Sequence, residues 1–375
     1  MGILPGDRSV RIGLIIYGSL DTLTGGYFYD RRMVSHLRQS GHSVEIVSLP
    51  WRPYPLRLLD NGSESLKRRL AGSDYDVIVQ DELCHPTLFL LNRRLRQLTR
   101  IPLIALVHQV LCDEPRQRLW NNGLAWIEKP YLASVDGFIF NSETTRRTVA
   151  GLIENNRPFV IATPGGDRFG GSITAEKIKA RARQSGPLRL LFLGNVIARK
   201  GLLPLIESLR TVPHDRWELQ VVGRLDMDPA YARHVRNRAD ALGLGSAIRF
   251  RGPLNGSPLV EVLENAHVLC MPFAYEGFGI VTLEAMSFGL PVIGSTAGAT
   301  GEIVQTGVNG HLVNREDVRG AAAAIEQLAA DRETLARMGV DATRRFNEFP
   351  GWRASMERIE VFLKHALHRQ ENRSG

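Results

Sequence analysis

The chain has 375 residues, 43% hydrophobic and 23% charged, with a net charge of +8. That balance suits a soluble globular protein with core enough for two domains, and no apolar run nears the roughly 20 residues a spanning helix needs. Three scattered cysteines, Cys84, Cys112 and Cys270, exclude a disulfide framework or a zinc site and fit a reducing cytoplasm.

The first stretch, "MGILPGDRSVRIGLIIYGSL", lacks the cationic flank and the cleavage site of a signal peptide. Gly6 stands where myristoylation needs Ser or Thr. Continuous apolar runs then recur at 11–18, 43–49, 75–80, 102–108, 136–140 and 158–162. Continuous rather than alternating hydrophobicity marks strands buried on both faces, hence parallel sheets covered by helices. The pattern breaks over the Gly- and charge-rich residues 163–187 and restarts at 188–194, 217–223, 248–252, 267–272 and 291–295. Two similar α/β units in tandem are expected: 1–168 and 186–349, with 169–185 as linker. An amphipathic helix after Pro350 is expected to pack back on the first unit.

Four glycine-bearing turns follow expected strands, at 17–30 with Gly25 and Gly26, at 193–209, at 221–231 and at 274–292. Such turns lead into helix N-termini whose N–H groups suit phosphate oxygens, although each also serves a strand-to-helix turn for conformational reasons alone. In the second, Arg199 and Lys200 stand just before a helix. In the fourth, Glu276 opens a Gly277-Phe278-Gly279 turn and Glu284 falls on the helix beyond it. Buried carboxylates need partners, so a ligand is one reading; an acidic helix start is the other. His108 ends an expected strand, where open α/β sheets bring ligand contacts, or where a histidine simply bonds nearby backbone. The Asp74/Asp76 and Asp226/Asp228 pairs read as structural, the second opening a helix at Pro229. No dense basic stripe or nucleic-acid-reading motif is present. Neither half shows Gly-X-Gly-X-X-Gly after its first strand, which disfavours an oxidoreductase.

"EGFGIVTLE" (276–284), "GLPVIGSTAGATGEIV" (289–304), "FLGNVIARKGLLPLIESL" (192–209), "SVDGFIFNSETTRRTV" (134–149) and "TPGGD" (163–167) together resemble glycosyltransferase family 4 over nearly the whole chain. The resemblance implies the GT-B fold, two Rossmann-like doubly wound domains facing a central cleft, and a retaining hexosyltransferase that uses a nucleoside-diphosphate sugar and no metal or cofactor. It implies that Glu276 and the Gly277-Phe278-Gly279 amides hold the hexose and that Glu284 takes the ribose hydroxyls. Lys200 with Arg199 would neutralise the departing diphosphate, Gly25-Gly26 would close over it, and His108 would bond the sugar near its C6 hydroxyl. The family often has Arg directly after the strand-end Gly; here that position is Asn195, and Arg199 is the substitute. A GT-B epimerase, a phosphorylase or a non-catalytic sugar-nucleotide-binding protein would share the architecture.

Segments 51–59, 66–70 and 88–100 set Arg and Lys beside Trp51, Tyr54 and leucines. A rim of this kind can rest on anionic lipid, which suggests a lipid-linked or glycan acceptor and peripheral contact with the inner face of the membrane. Alternatively Leu88, Leu91, Leu95 and Leu98 face the core and the arginines are solvated.

Overall fold

A computed structural model describes residues 9–114, 118–154, 156–170 and 173–374, with side chains to position 369. The first stretch, where no targeting signal is read, lies for its first eight residues outside the described part. The chain divides into two units: Met1–Pro164 with Trp352–Gly375, and Gly165–Gly351.

In the first unit the apolar runs become β1 (Arg11–Tyr17), β2 (Ser43–Leu49), β3 (Val77–Asp81), β4 (Leu103–Val107), β5 (Gly137–Phe140) and β6 (Phe159–Ile161). They pair in parallel in the order β2-β1-β3-β4-β5-β6. The central strands are buried throughout because helices cover both faces. The order reverses between β1 and β3, so the loops that leave their carboxyl ends diverge to opposite faces and open a crevice.

The second unit holds β7 (Leu188–Leu193), β8 (Trp217–Val222), β9 (Ile248–Gly252), β10 (Val268–Met271), β11 (Val292–Ser295) and β12 (Gly310–Val313), all parallel, in the order β12-β11-β10-β7-β8-β9. Its reversal lies between β7 and β10. Both units are therefore doubly wound, Rossmann-like sheets.

Three segments differ from expectation. β12, "GHLV", is a strand with only two apolar residues, recruited by pairing with β11 from Val292↔Gly310 to Ser295↔Val313. Residues 169–185 are not a bare linker: the helix Ala175–Ala182 lies there and packs on Arg332–Asn347. Its buried Arg181 donates to the Phe288 and Gly289 carbonyls, both at 2.8 Å. Segment 88–100 does not turn all four of its leucines to the core. Short helices His85–Leu88 and Leu91–Leu95 bury Leu88, Leu91 and Leu95, whereas Leu98 is exposed. Arg94 and Arg96 pair with Glu64 and Asp136.

The helix Trp352–Ser374 belongs to the first unit. Trp352 sets its ring edge-to-face with Phe28 and Tyr29, at 5.3 and 5.8 Å. Glu360 accepts from His36 at 2.9 Å and His42 at 3.2 Å, and Ser355 Oγ donates to the Thr163 carbonyl at 2.5 Å.

Candidate functional site

In the second unit, the loops that follow β7 and β10 flank the reversal of strand order. They can touch because Gly201 carries no side chain. It sits at φ +71°, and a Cβ there would lie 2.5 Å from Phe273 Cβ. Arg199 laces the contact: its Nη1 donates to the Tyr275 carbonyl at 2.6 Å, and its own carbonyl accepts from Tyr275 N at 3.3 Å. The result brings Lys200 Nζ onto Glu276 Oε1 in a short ion pair. From the far side Ala299 N donates to the Glu276 carbonyl at 2.9 Å. Gly298, at φ +74°, lets this backbone approach, since a Cβ would lie 2.2 Å from the Glu276 carbonyl oxygen.

Burial raises the Glu276 pKa, but Lys200 and Arg199 outweigh it and hold the carboxyl below its usual range. Burial also lowers the Lys200 pKa; Glu276 opposes this, Arg199 adds to it, and the ammonium ends below the lysine range. Two cations, Lys200 and Arg199, stand against the single carboxylate of Glu276, which leaves a surplus of positive charge. Such a place favours an anion.

Gly279, at φ +94°, turns the chain into the helix Ile280–Ser287. Phe278 is buried and stands edge-to-face with Phe349 at 6.1 Å, so its side chain anchors the turn whose amides the sequence reading assigns to the ligand. Glu284, 2% exposed, lies on that helix with Arg168 Nη1 3.6 Å from its Oε1. Arg168 Nη2 also donates to Asn255 Oδ1, on the loop after β9, at 3.3 Å. Neither Arg168 nor Asn255 is legible in advance; the only signal is that Arg168 follows the "TPGGD" turn. Asn195 Oδ1 accepts from Arg224 N at 3.4 Å, fastening the loop after β7 to the loop after β8.

In the first unit, Thr24 caps the helix Gly25–Gln39, its side chain accepting from Tyr27 N. Gly26 lies under the His108 ring, where a Cβ would come 3.3 Å from Cδ2. The partner of His108 Nε2 is not backbone but Asp30 Oδ1, at 2.9 Å. Burial disfavours the imidazolium, yet the charge and hydrogen bond of Asp30, with Asp81 behind it, raise the His108 pKa overall. Sequence reasoning missed both acids, because only the fold brings residues 30, 81 and 108 together.

The aspartate pairs have local partners. Asp74 Oδ2 pairs with Arg11 at 2.6 Å, and Asp76 accepts from Arg11 N at 2.8 Å. Asp226 pairs with Arg224 at 2.7 Å, and Asp228 caps the helix Pro229–Ala241.

Two doubly wound units, with a cationic, carboxylate-braced crevice at the switch point of the second, are the parts of a GT-B glycosyltransferase. The chain belongs to the family-4 type of these enzymes: the family described as "Glycosyltransferase Family 4" matches residues 27–164, and "Glycosyl transferases group 1" matches residues 174–345. Phosphatidyl-myo-inositol mannosyltransferase of Mycobacterium leprae is 26% identical over 90% of this chain and 93% of its own. D-inositol 3-phosphate glycosyltransferase of Streptomyces coelicolor is 30% identical over 53% of this chain and 45% of its own. The fold is shared with sucrose-phosphate synthase from Thermosynechococcus elongatus, at a TM-score of 0.78, 20% identity, and 98% and 100% coverage of the two chains. It is shared also with Anabaena HepE, solved in complex with UDP-glucose, at a TM-score of 0.74, 17% identity, and 95% and 100% coverage.

Proposed function

We propose that the protein moves a hexose from a nucleoside-diphosphate sugar to an acceptor hydroxyl, with retention of configuration at the anomeric carbon. The observation that carries this reading is the Lys200–Glu276 pair, with Arg199 beside it, at the switch point of the second unit. A diphosphate there supplies the negative charge the site lacks, and Lys200 stabilises it as it leaves. Glu276 and the amides of Gly277, Phe278 and Gly279 hold the sugar, while Glu284 takes the ribose hydroxyls. A double displacement needs two carboxyls about 5 Å apart, one of them attacking carbon. Glu276 is engaged by Lys200 and Glu284 lies beside Arg168, positions that suit binding rather than attack. The acceptor hydroxyl therefore enters on the face the diphosphate leaves and passes its proton towards the leaving phosphate. The side-chain cations and a helix N-terminus meet the charge, so no divalent metal takes part.

The acceptor is a glycan or a lipid-linked polyol. The two relatives named above act, by their names, on inositol-bearing molecules, which makes these the first to assay. Trp51, Leu56 and Leu59 are exposed, and Arg57 stacks 4.7 Å from the Trp51 ring, so the first unit has an aromatic and basic edge suited to an anionic cytoplasmic membrane face. No helix among the described residues is long and apolar enough to cross a membrane.

The experiment is product analysis with a panel of nucleoside-diphosphate sugars and acceptors, before and after exhaustive EDTA. Transfer with the anomeric configuration kept, in EDTA, supports the reading. Donor consumption without acceptor points to an epimerase, and binding without turnover to a sensor. Activity restored only by magnesium or manganese overturns the metal-free step.

A further inference from the structure

Asp30 sits on the inner side of the helix Gly25–Gln39 and is wholly buried. Its Oδ1 lies 2.9 Å from His108 Nε2, and its buried Oδ2 has no hydrogen-bond partner among the described residues. Asp81, 2% exposed at the end of β3, completes the group: one nitrogen or carboxylate oxygen from each of the three residues lies within 4.8 Å of the others. These are the elements on either side of the strand-order reversal in the first unit. The His108 ring has little room, with Gly26 against it and Tyr29 edge-to-face at 5.2 Å. Its backbone is tied as well, since the carbonyl accepts from Asn141 Nδ2 at 2.7 Å.

We propose that Asp30 is a positioning residue for His108: it fixes the hydrogen on Nε2 so that Nδ1 is the atom offered to the donor sugar, and Asp81 behind it shares the proton that decides whether Nδ1 donates or accepts. This rests on the reading of His108 as a sugar ligand. A buried acid pair with a spare lone pair is costly unless a proton or cation is shared with it. Burial, then the charge of Asp30, push Asp81 up to about 7, and His108 is raised as well. The other titratable groups facing the cluster are Glu82 and Cys84 beyond β3, and Tyr27 and Tyr29 on the helix, all held neutral by burial. Near neutrality a proton is therefore shared between Asp81 and His108. On the acid side Nδ1–H donates to a sugar oxygen; on the alkaline side Nδ1 accepts from a sugar hydroxyl.

Long-range proton–nitrogen correlation spectra of the whole protein with ¹⁵N-labelled histidine test this directly. Wild-type His108 is expected as the Nε2–H tautomer once neutral, titrating above the ordinary histidine range. In Asp30→Asn the titration falls, and the amide, which can donate to Nε2, swings the proton to Nδ1. The donor KM rises about tenfold, the loss of roughly one hydrogen bond, and the pH profile of kcat/KM shifts to the acid side. Neutral wild-type His108 protonated on Nδ1 overturns the proposal without any variant, as does an unchanged titration in Asp30→Asn. His108→Ala separates the two claims: an unchanged donor KM there refutes the sugar contact, while the spectra still decide what Asp30 does.

Discussion

Lys200 and Glu276 bond each other, and a diphosphate would draw the ammonium away from its present partner. Lys200→Ala is expected to lower turnover about a hundredfold, the scale for losing one preorganised charge stabiliser. Because its pKa is depressed, wild-type activity should fall on an alkaline limb below the ordinary lysine range, and Lys200→Arg should move that limb up and out of reach. A profile identical in both proteins would take Lys200 out of the charge-stabilising role. Glu284→Gln is expected to weaken donor binding at least tenfold with the melting temperature kept, since hydrogen bonds to a charged group contribute about 1.5–3 kcal/mol each; titration calorimetry decides. Lys200, Glu276 and Glu284 were legible because each sits in a short motif whose turn and helix are written locally. Asp30, Asp81 and Gly298 were not. Their partners are distant in sequence, and an aspartate on an amphipathic helix or a glycine in a Ser-Thr-Ala-Gly run looks ordinary until the sheet assembles.

At the scale of elements, eleven of the twelve strands lie on the apolar runs; the central ones are continuous because both faces are buried, whereas β2 and β9, at sheet edges, alternate in burial. β12 escapes that logic as a sheet edge of glycine, histidine and two apolar residues. The helix Ala175–Ala182 was hidden by its charges, four of its eight residues being Glu, Lys or Arg, one of which turns inward to cap carbonyls. The junction that shapes the site is Gly201. Gly201→Ala is expected to cost about 2 kcal/mol or more, from the left-handed backbone and the collision with Phe273, and to lower turnover by parting Lys200 from Glu276. Gly243→Ala is the control, at φ +72° with nothing within 4 Å of the added methyl. It should show the backbone cost of about 1–2 kcal/mol with turnover unchanged. Equal losses of activity in the two variants would mean the loop contact does not place the lysine.

On the scale of the molecule, the tandem of two α/β units was legible in the pause and restart of apolar runs. The first boundary was not, because helical residues 175–182 look like tether; the return of the last helix, expected after Pro350, begins at Trp352. Glu360 fastens that return. Burial raises its pKa, but hydrogen bonds from Lys364, Ser40, His42 and His36 bring it down to about 2. A depressed carboxyl contributes stability that is present above its unfolded value, near 4.3, and lost as pH falls through the folded one. Glu360→Gln should thus be less stable than wild type at neutral pH, by on the order of 1 kcal/mol after solvent screening. The two denaturation curves should converge towards pH 2. A constant difference across that range would assign the effect to packing instead.

The second unit is also an insertion: the chain leaves the first unit at Pro164 and re-enters it at Trp352. On the ribosome, β1 to β6 emerge long before the helix that covers Phe28 and Tyr29 has been translated. The nascent first unit must wait, with that apolar surface bare, while the whole second unit is made. It is the younger of the two to finish although the older to begin, and a ribosome stalled before Trp352 leaves a substrate for chaperones rather than a folded domain.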